Sequence, residues 1–366
     1  MSKSLTILFI TAIFLAGCAT TPDQPEEVIS SPPIMSNGPS ALNWSDTNLV
    51  KKFPAPRPIR PITPALRTNP PAVAPMTTWT SLDRWAAENK LGAPRKISST
   101  PVAEYAVGST NGVMVLTIGS RDATWNGIGI QLGFAPEFID DQIFIYGLDL
   151  QKNIEPLLTG APLGFGNRVI VLDPGHGGIN SGTHSVLDGR LEKEFTLDWA
   201  RRLAPLLATN GWRVFLTRTN DTDISLSNRV AIAEAHQADL FISLHFNSGA
   251  PDEKPAGLET YCLTPTGMPS TLTRGYPDIW SQVFPNNAYD AQNLQFGVRL
   301  QKAILHATGL DDRGVCRARF IGVLHGQHRP AVLIEAGYLS NPTEAKLIES
   351  GDFRQKLAEA VAASLK

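Results

Sequence analysis

A chain of 366 residues with 42% hydrophobic and 18% charged positions is long enough for about two domains and apolar enough to bury a real core. Its formal net charge of -2 leaves no basic excess, which argues against nucleic acid as a partner, while a mixed-charge polymer stays possible.

Residues 1–18, MSKSLTILFITAIFLAGC, carry Lys3, then an apolar stretch about as long as a signal h-region, then small residues. The stretch is too short, and too closely followed by polar sequence, for a membrane span. Its end, Leu15, Ala16, Gly17 and Cys18, resembles the lipobox of bacterial lipoproteins. That resemblance implies cleavage before Cys18, acylation of this cysteine and a membrane anchor of acyl chains. The alternative is a plain secretory signal with an accidental cysteine. Ala19 resembles the pattern of lipoproteins sent on to the outer membrane of Gram-negative bacteria, which implies the periplasmic face of that membrane.

Residues 19–76 read as a proline-rich tether, with SSPP, FPAPRPIRPITP and TNPPAVAP and few large apolar residues. Such a segment is expected to be extended and solvated. Lys51, Lys52, Arg57, Arg60 and Arg67 make it basic, in keeping with a linker that stays in water.

A small α+β or β-rich domain is expected over residues 77–160. SLDRWAAEN places Leu82, Trp85 and Ala86 at helical spacing, and GVMVLTIGS, GIGIQLG and DQIFIYGLDL are strand-like runs broken by glycines. No cluster of His, Cys or acidic residues gives it a site. The segment from Leu132 onward, LGFAPEFIDDQIFIYGLDLQKNIEPLL, is similar to small β-rich modules found beside cell-envelope hydrolases, such as the copper amine oxidase N-terminal-like module. The likeness implies a packing or wall-binding role.

Residues 166–366 alternate in type. RVIVLD, WRVFLT, DLFISLH, LETYCL and AVLIEAG read as strands, and helices are expected over 194–207, 226–235, 294–305 and at the carboxyl end. This is the rhythm of an α/β fold, a mostly parallel twisted sheet flanked by helices, in which ligands sit beyond the carboxyl ends of strands. Those ends carry His176, His245 and Glu335, and Glu192 opens the helix behind the glycine turn VLDPGHGGINSG. Two imidazoles and a carboxylate around one zinc, with a fourth position left for water, suit a catalytic hydrolase, since such a metal lowers the pKa of water to about 7. A second glutamate then serves as base to the water and as proton donor to a leaving amine. Cys262 and Cys316 lie here too, and whether they pair is open from the sequence.

At this point the chain resembles the zinc-dependent N-acetylmuramoyl-L-alanine amidases of the third amidase family. The resemblance rests on VIVLDPGHGG, RLEKEFTLDWARRL, VFLTR, LSNRVAIAEAHQADLFISLHFNS and PAVLIEAGYLSNPTEAKLI, in that order over about 195 residues. It implies one zinc ion held by His176, Glu192 and His245, with Glu335 as catalytic acid/base. It also implies cleavage of the amide between the lactyl group of N-acetylmuramic acid and L-alanine in peptidoglycan. Two other readings are a non-catalytic peptidoglycan-binding lipoprotein and a zinc hydrolase of another amide. Any activator protein is unidentified.

Lesser candidates surround this set. Asn247 can orient substrate or a metal ligand, or simply cap a loop. Arg229 and Arg218 can meet peptide carboxylates but suit structural ion pairs better. Asp173 is expected to accept backbone N–H groups of the glycine turn. His184, His236, His306, His325 and His328 have no motif support, although the last two can rim the cleft. Two departures from the family pattern stand out. Asn180, Ser181 and Gly182 replace its usual Asp-Pro-Gly, a change that keeps the turn-forming character, and the long stretch between Cys262 and Leu294 is read as a loop over or beside the cleft, whose Tyr276, Trp280 or Tyr289 either pin it or contact substrate.

Overall fold

Short apolar runs separated by turns build the amino-terminal part of the computed structural model, which describes residues 77–160, 163–275 and 278–366. Cys18, the tether and Tyr276 lie outside the described residues. β1 (Trp79–Ser81) leads into α1 (Leu82–Glu88), where the Ser81 hydroxyl accepts from the Arg84 N–H and so caps the first turn. Leu82, Trp85 and Ala86 form the buried face of α1, as their spacing predicts.

An antiparallel meander follows: β2 (Arg95–Ser98), β3 (Glu104–Ser109), β4 (Gly112–Thr117), β5 (Asp122–Trp125) and β6 (Ile128–Gln131). β7 (Glu137–Ile139) and β8 (Gln142–Tyr146) join β1 in a separate three-stranded sheet. The chain then turns helical through α2 (Gly147–Asp149), a wide π turn (Leu150–Ile154) and α3 (Glu155–Leu158). The GLDL end of the run DQIFIYGLDL is therefore helix rather than strand, with the buried Asp149 carboxylate accepting from the N–H groups of Gly133 and Phe134.

The carboxyl-terminal part begins with β9 (Val169–Pro174), buried at every position, as a strand covered on both faces must be. α4 (Glu192–Thr209), β10 (Arg213–Leu216), α5 (Leu226–Ala235), β11 (Leu240–Asn247) and β12 (Leu258–Cys262) follow. After a long loop and one 3-10 turn come α6 (Asp290–Thr308), β13 (Asp312–Arg317), α7 (Gly322–His325), β14 (Ala331–Tyr338), α8 (Pro342–Glu349) and α9 (Gly351–Ser364). β13 escapes sequence reading because Asp312, Arg313 and Gly314 open it without an apolar alternation.

Among the described residues one sheet runs β10-β9-β11-β14-β12-β13-β6-β5-β4-β3-β2. The four strands β10, β9, β11 and β14 are parallel, and β12 then enters antiparallel to β14. The sheet is thus mixed, and it passes from one part of the chain to the other where β13 pairs in parallel with β6, Val315 opposite Ile130. α4, α6 and α9 cover one face, over a core that includes Phe195, Trp199 and Phe246, while α5 and α7 cover the other, over Phe241, Tyr261 and Leu333. Cys262 and Cys316 are both buried free thiols. Burial pushes the Cys262 thiol up to about 11, so it is inert at neutral pH.

Arg317, at the end of β13, joins the two parts by a second route. Its guanidinium is buried and donates to Asn153 Oδ1 at 3.0 Å and to the Lys152 carbonyl at 3.4 Å. Removing a buried charged donor leaves its acceptors unsatisfied, so Arg317→Leu is expected to cost about 2–3 kcal/mol. A urea titration of the full chain checks this, and an unmoved midpoint would contradict it.

Candidate active site

The carboxyl ends of the parallel strands all open on one edge of the sheet, and the site is built there on the α5 side. β9 ends in the turn 175–178, which carries His176. β11 carries His245, and β14 sets Glu335 beside it in register, His245 opposite Glu335. Glu192 comes in as the first residue of α4.

The glycines behind His176 clear this space. A Cβ on Gly175 would lie 2.3 Å from His245 Cε1, and a Cβ on Gly182 would lie 2.4 Å from Glu192 Oε2 and 2.7 Å from His176 Cδ2. Gly182 also sits at φ +69°, where an L side chain is strained. Any larger residue at either position would fill the place where the three polar side chains meet.

Those side chains converge closely. Ligand atoms of His176, Glu192 and His245 all lie within 4.8 Å of one another. His176 Nε2 is 3.0 Å from Glu192 Oε2, and His245 Nδ1 is 3.0 Å from Glu192 Oε1. Each oxygen of Glu192 also accepts a backbone N–H at 3.0 Å, Oε1 from Phe246 and Oε2 from Thr183, so the carboxylate is held from outside the cluster. Burial opposes its ionisation, but the two imidazoles hold Glu192 well below the usual carboxylate range. Burial also acts on both histidines. It lowers His245, whereas at His176 the Glu192 charge outweighs it and the imidazole is raised.

Two imidazole nitrogens and a carboxylate oxygen, fixed on three elements, fit a borderline-soft zinc ion with an open fourth position. The outer contacts fit as well. His176 Nδ1 lies 2.8 Å from Asn180 Oδ1, which places the ring proton on Nδ1 and leaves Nε2 as the donor toward the cluster. In the sequence Asn180 stands out only as a departure from the family pattern, because its hydrogen bond depends on the backbone reversal between Gly177 and Asn180.

Glu335 stands apart from these ligands. Its Oε2 is buried with no hydrogen-bond partner. Burial, followed by the negative charges of Glu192 and Glu259, raises its carboxyl well above the usual range, with Arg274 acting in the opposite direction.

The lesser candidates point elsewhere. Arg229 spends its guanidinium on protein: NH1 donates to Asp173 Oδ1 at 2.6 Å and to the Pro174 carbonyl, and NH2 donates to the His176 carbonyl at 2.7 Å. Arg218 donates to the Pro174, Gly175 and Lys193 carbonyls. Asn247 donates to Glu259 Oε2 at 3.0 Å while its Oδ1 accepts the Ser248 N–H, so its amide faces the sheet floor rather than the cluster of His176, Glu192 and His245. Asp173 does brace the turn, but the expected backbone N–H groups are not its partners. It accepts from the Thr217 and Ser243 hydroxyls and from Arg229. His325 stacks on Phe284, 4.0 Å between ring centroids, and bonds to the Arg319 carbonyl. Trp280, 46% exposed on the long loop, meets Phe134 from the segment between β6 and β7 edge to face.

Residues 170–366 match the family described as N-acetylmuramoyl-L-alanine amidase (Amidase_3). The chain is 34% identical over 218 residues to the N-acetylmuramoyl-L-alanine amidase AmiA of Escherichia coli, covering 54% of this chain and 74% of that protein. It is 32% identical over 247 residues to AmiC of E. coli O6:H1, covering 60% of this chain and 58% of the relative. The solved catalytic domain of the amidase CwlV from Bacillus (Paenibacillus) polymyxa aligns with a TM-score of 0.45 at 31% identity, over 54% of this chain and 96% of that one.

Asn180→Ala removes the group that orients His176 and leaves the ligands intact. It is expected to weaken divalent-metal binding by about 10–100-fold. Competition against a chelating dye measures this, and an unchanged affinity would mean that the backbone alone orients the ring.

Proposed function

The chain belongs to the N-acetylmuramoyl-L-alanine amidase family, and from that premise we propose that it is a zinc-dependent amidase that releases stem peptides from peptidoglycan. The bond cut is the amide between the lactyl group of N-acetylmuramic acid and L-alanine. The observation that carries the zinc assignment is the convergence of His176, Glu192 and His245, each anchored by a different element, beside an acid with no partner of its own.

A zinc ion on those three residues supplies Lewis-acid polarisation of the scissile carbonyl and makes water acidic enough to attack near neutral pH. The remaining work falls to the chain. Glu335, raised in proton affinity by burial and by the neighbouring carboxylates, takes the proton of the attacking water and hands it to the departing L-alanine nitrogen. Its undonated Oε2 is the atom suited to that transfer. Asn180 and the two backbone N–H groups on Glu192 keep the ligands aimed. Arg229 and Arg218 hold the carbonyls of the turn, so the turn does not collapse onto substrate.

The amidase is further proposed to be a lipoprotein, acylated on Cys18 and held at the periplasmic face of the outer membrane by its proline-rich tether. The motif Leu15-Ala16-Gly17-Cys18 supports this reading. No helix among the described residues is long and apolar enough to cross a membrane.

Purified sacculi incubated with the zinc-loaded protein should release peptides that begin with L-alanine, and EDTA should abolish the release. Glu335→Gln should keep its zinc, since it removes no ligand, yet lose at least about a hundredfold in turnover. Turnover near wild type in that variant would remove Glu335 from the chemistry. In cells, Cys18→Ser should abolish incorporation of labelled fatty acid and free the protein from membranes, whereas unchanged membrane association would overturn the anchor.

A further inference from the structure

β12 runs antiparallel beside β14, and its register sets Glu259 directly opposite Glu335. Directly paired residues project from the same face of a sheet, so two carboxyl groups stand side by side on the floor of the cleft. They are treated in opposite ways. Glu259 is buried and takes four donors: Arg313 Nε at 2.6 Å and the Tyr338 hydroxyl at 3.2 Å on Oε1, the Tyr261 hydroxyl at 2.7 Å and Asn247 Nδ2 at 3.0 Å on Oε2. Glu335 Oε2, equally buried, takes none.

The four donors come from four strands, β13, β14, β12 and β11. Two of them reach Glu259 through an irregularity in the ladder. Between His245 and Asn247 the pairing with β14 slips by one residue, so that Asn247 faces Tyr338. An extra residue in one strand re-aims the side chains beyond it, and here it turns Tyr338 back to the face that carries Glu335. Glu344 accepts the Tyr338 N–H at 2.7 Å and the Gly257 N–H at 2.8 Å, which pins the slip in place.

We propose that Glu259 is a positioning residue that draws the donors of Arg313, Tyr338, Tyr261 and Asn247 to itself and so keeps the Glu335 carboxyl free for the proton of the reaction. The proposal rests on the amidase reading for the role of Glu335, but the placement of the donors stands on the hydrogen bonds alone. A carboxyl that already accepts from a guanidinium or a phenol is a weaker base and is turned away from substrate. With residue 259 neutral, Arg313 loses its anion, and the Glu335 carboxylate, directly opposite in the register, is left as the neighbouring anion on the same face. Arg313 is also stacked over the Tyr338 ring, 5.2 Å from its centroid, so the two donors move together.

The test is a crystal structure of Glu259→Gln with kinetics on a soluble muramyl peptide, wild type in parallel. The expected structure has the Arg313 guanidinium bonded to the Glu335 carboxyl. Expected kinetics are a kcat lower by about tenfold or more with KM within about twofold and zinc content unchanged. Adding Arg313→Met to Glu259→Gln should then recover part of the lost kcat, a result that a purely structural role for Glu259 does not produce. A Glu335 still without donors in the variant structure, or a double variant no faster than the single one, overturns the proposal. If Glu259→Gln does not fold, Glu259→Asp carries the same expectation, because a carboxylate one methylene shorter cannot span all four donors. Wild-type kcat in a folded Asp variant is then the overturning result. A wild-type protein that releases no L-alanine peptide would fail the amidase reading instead, and the variant structure would still decide where the donors go.

Discussion

The buried pair of Asp173 and Arg229 is the contact on which the site depends. Asp173 is the last residue but one of β9, Arg229 comes from α5, and the hydroxyls of Thr217 and Ser243 bring in the residue after β10 and the middle of β11. Burial works against the Asp173 charge, but Arg229 and the hydroxyls outweigh it and hold the carboxyl below its usual range. From the same guanidinium the carbonyls of Pro174 and His176 are held, and Arg218 takes the Gly175 carbonyl. Three consecutive carbonyls thus point at two cations. His176 sits at φ +62°, a conformation that costs of order 1–3 kcal/mol and persists only where the surroundings over-determine it. Breaking one partner of such a buried pair typically costs about 3–5 kcal/mol, enough to outweigh that strain.

Four acids around the sheet end, three of them buried and Glu335 half-buried, show how environment divides labour among like groups. Asp173 is saturated by a cation and two hydroxyls and serves as scaffold. Glu192 is shared between two imidazoles and two backbone N–H groups and closes the cluster that could hold a metal ion. Glu259 takes four side-chain donors. Glu335 alone among these has a buried oxygen with no donor, and that difference is what the proposed proton transfer draws on.

Much of this was legible in the sequence, for reasons that particular residues make clear. His176, His245 and Glu335 lie at the ends of strongly apolar strands, where an α/β sheet places its ligands, and Glu192 opens a helix with clean periodicity. Arg229 was legible as a partner in a structural ion pair, which it makes with Asp173, but Asn247 was legible only as a polar residue near the site, because its direction is decided by partners distant in sequence. Glu259 was hidden for a stronger reason. Its position depends on β12 entering antiparallel and on the slip opposite Tyr338, neither of which leaves a local pattern. The short strands of the first part were only half readable, since three or four residues, as in β1, β2 and β5, are too few to show an alternation.

The junction of β13 with β6 also bears on how the molecule behaves as a colloid. A sheet ending at β13 would offer the row of unpaired N–H and C=O groups of Asp312–Arg317, and a meander ending at β6 would offer another. Exposed edges of that kind template pairing between chains. Joined, the two parts cover each other and leave β10 and β2 as the borders of the long sheet, and β2 begins with Arg95 and Lys96, whose charges discourage a strand from docking there. On this view the first part of the fold acts as a solubility guard for the second, whatever else it binds.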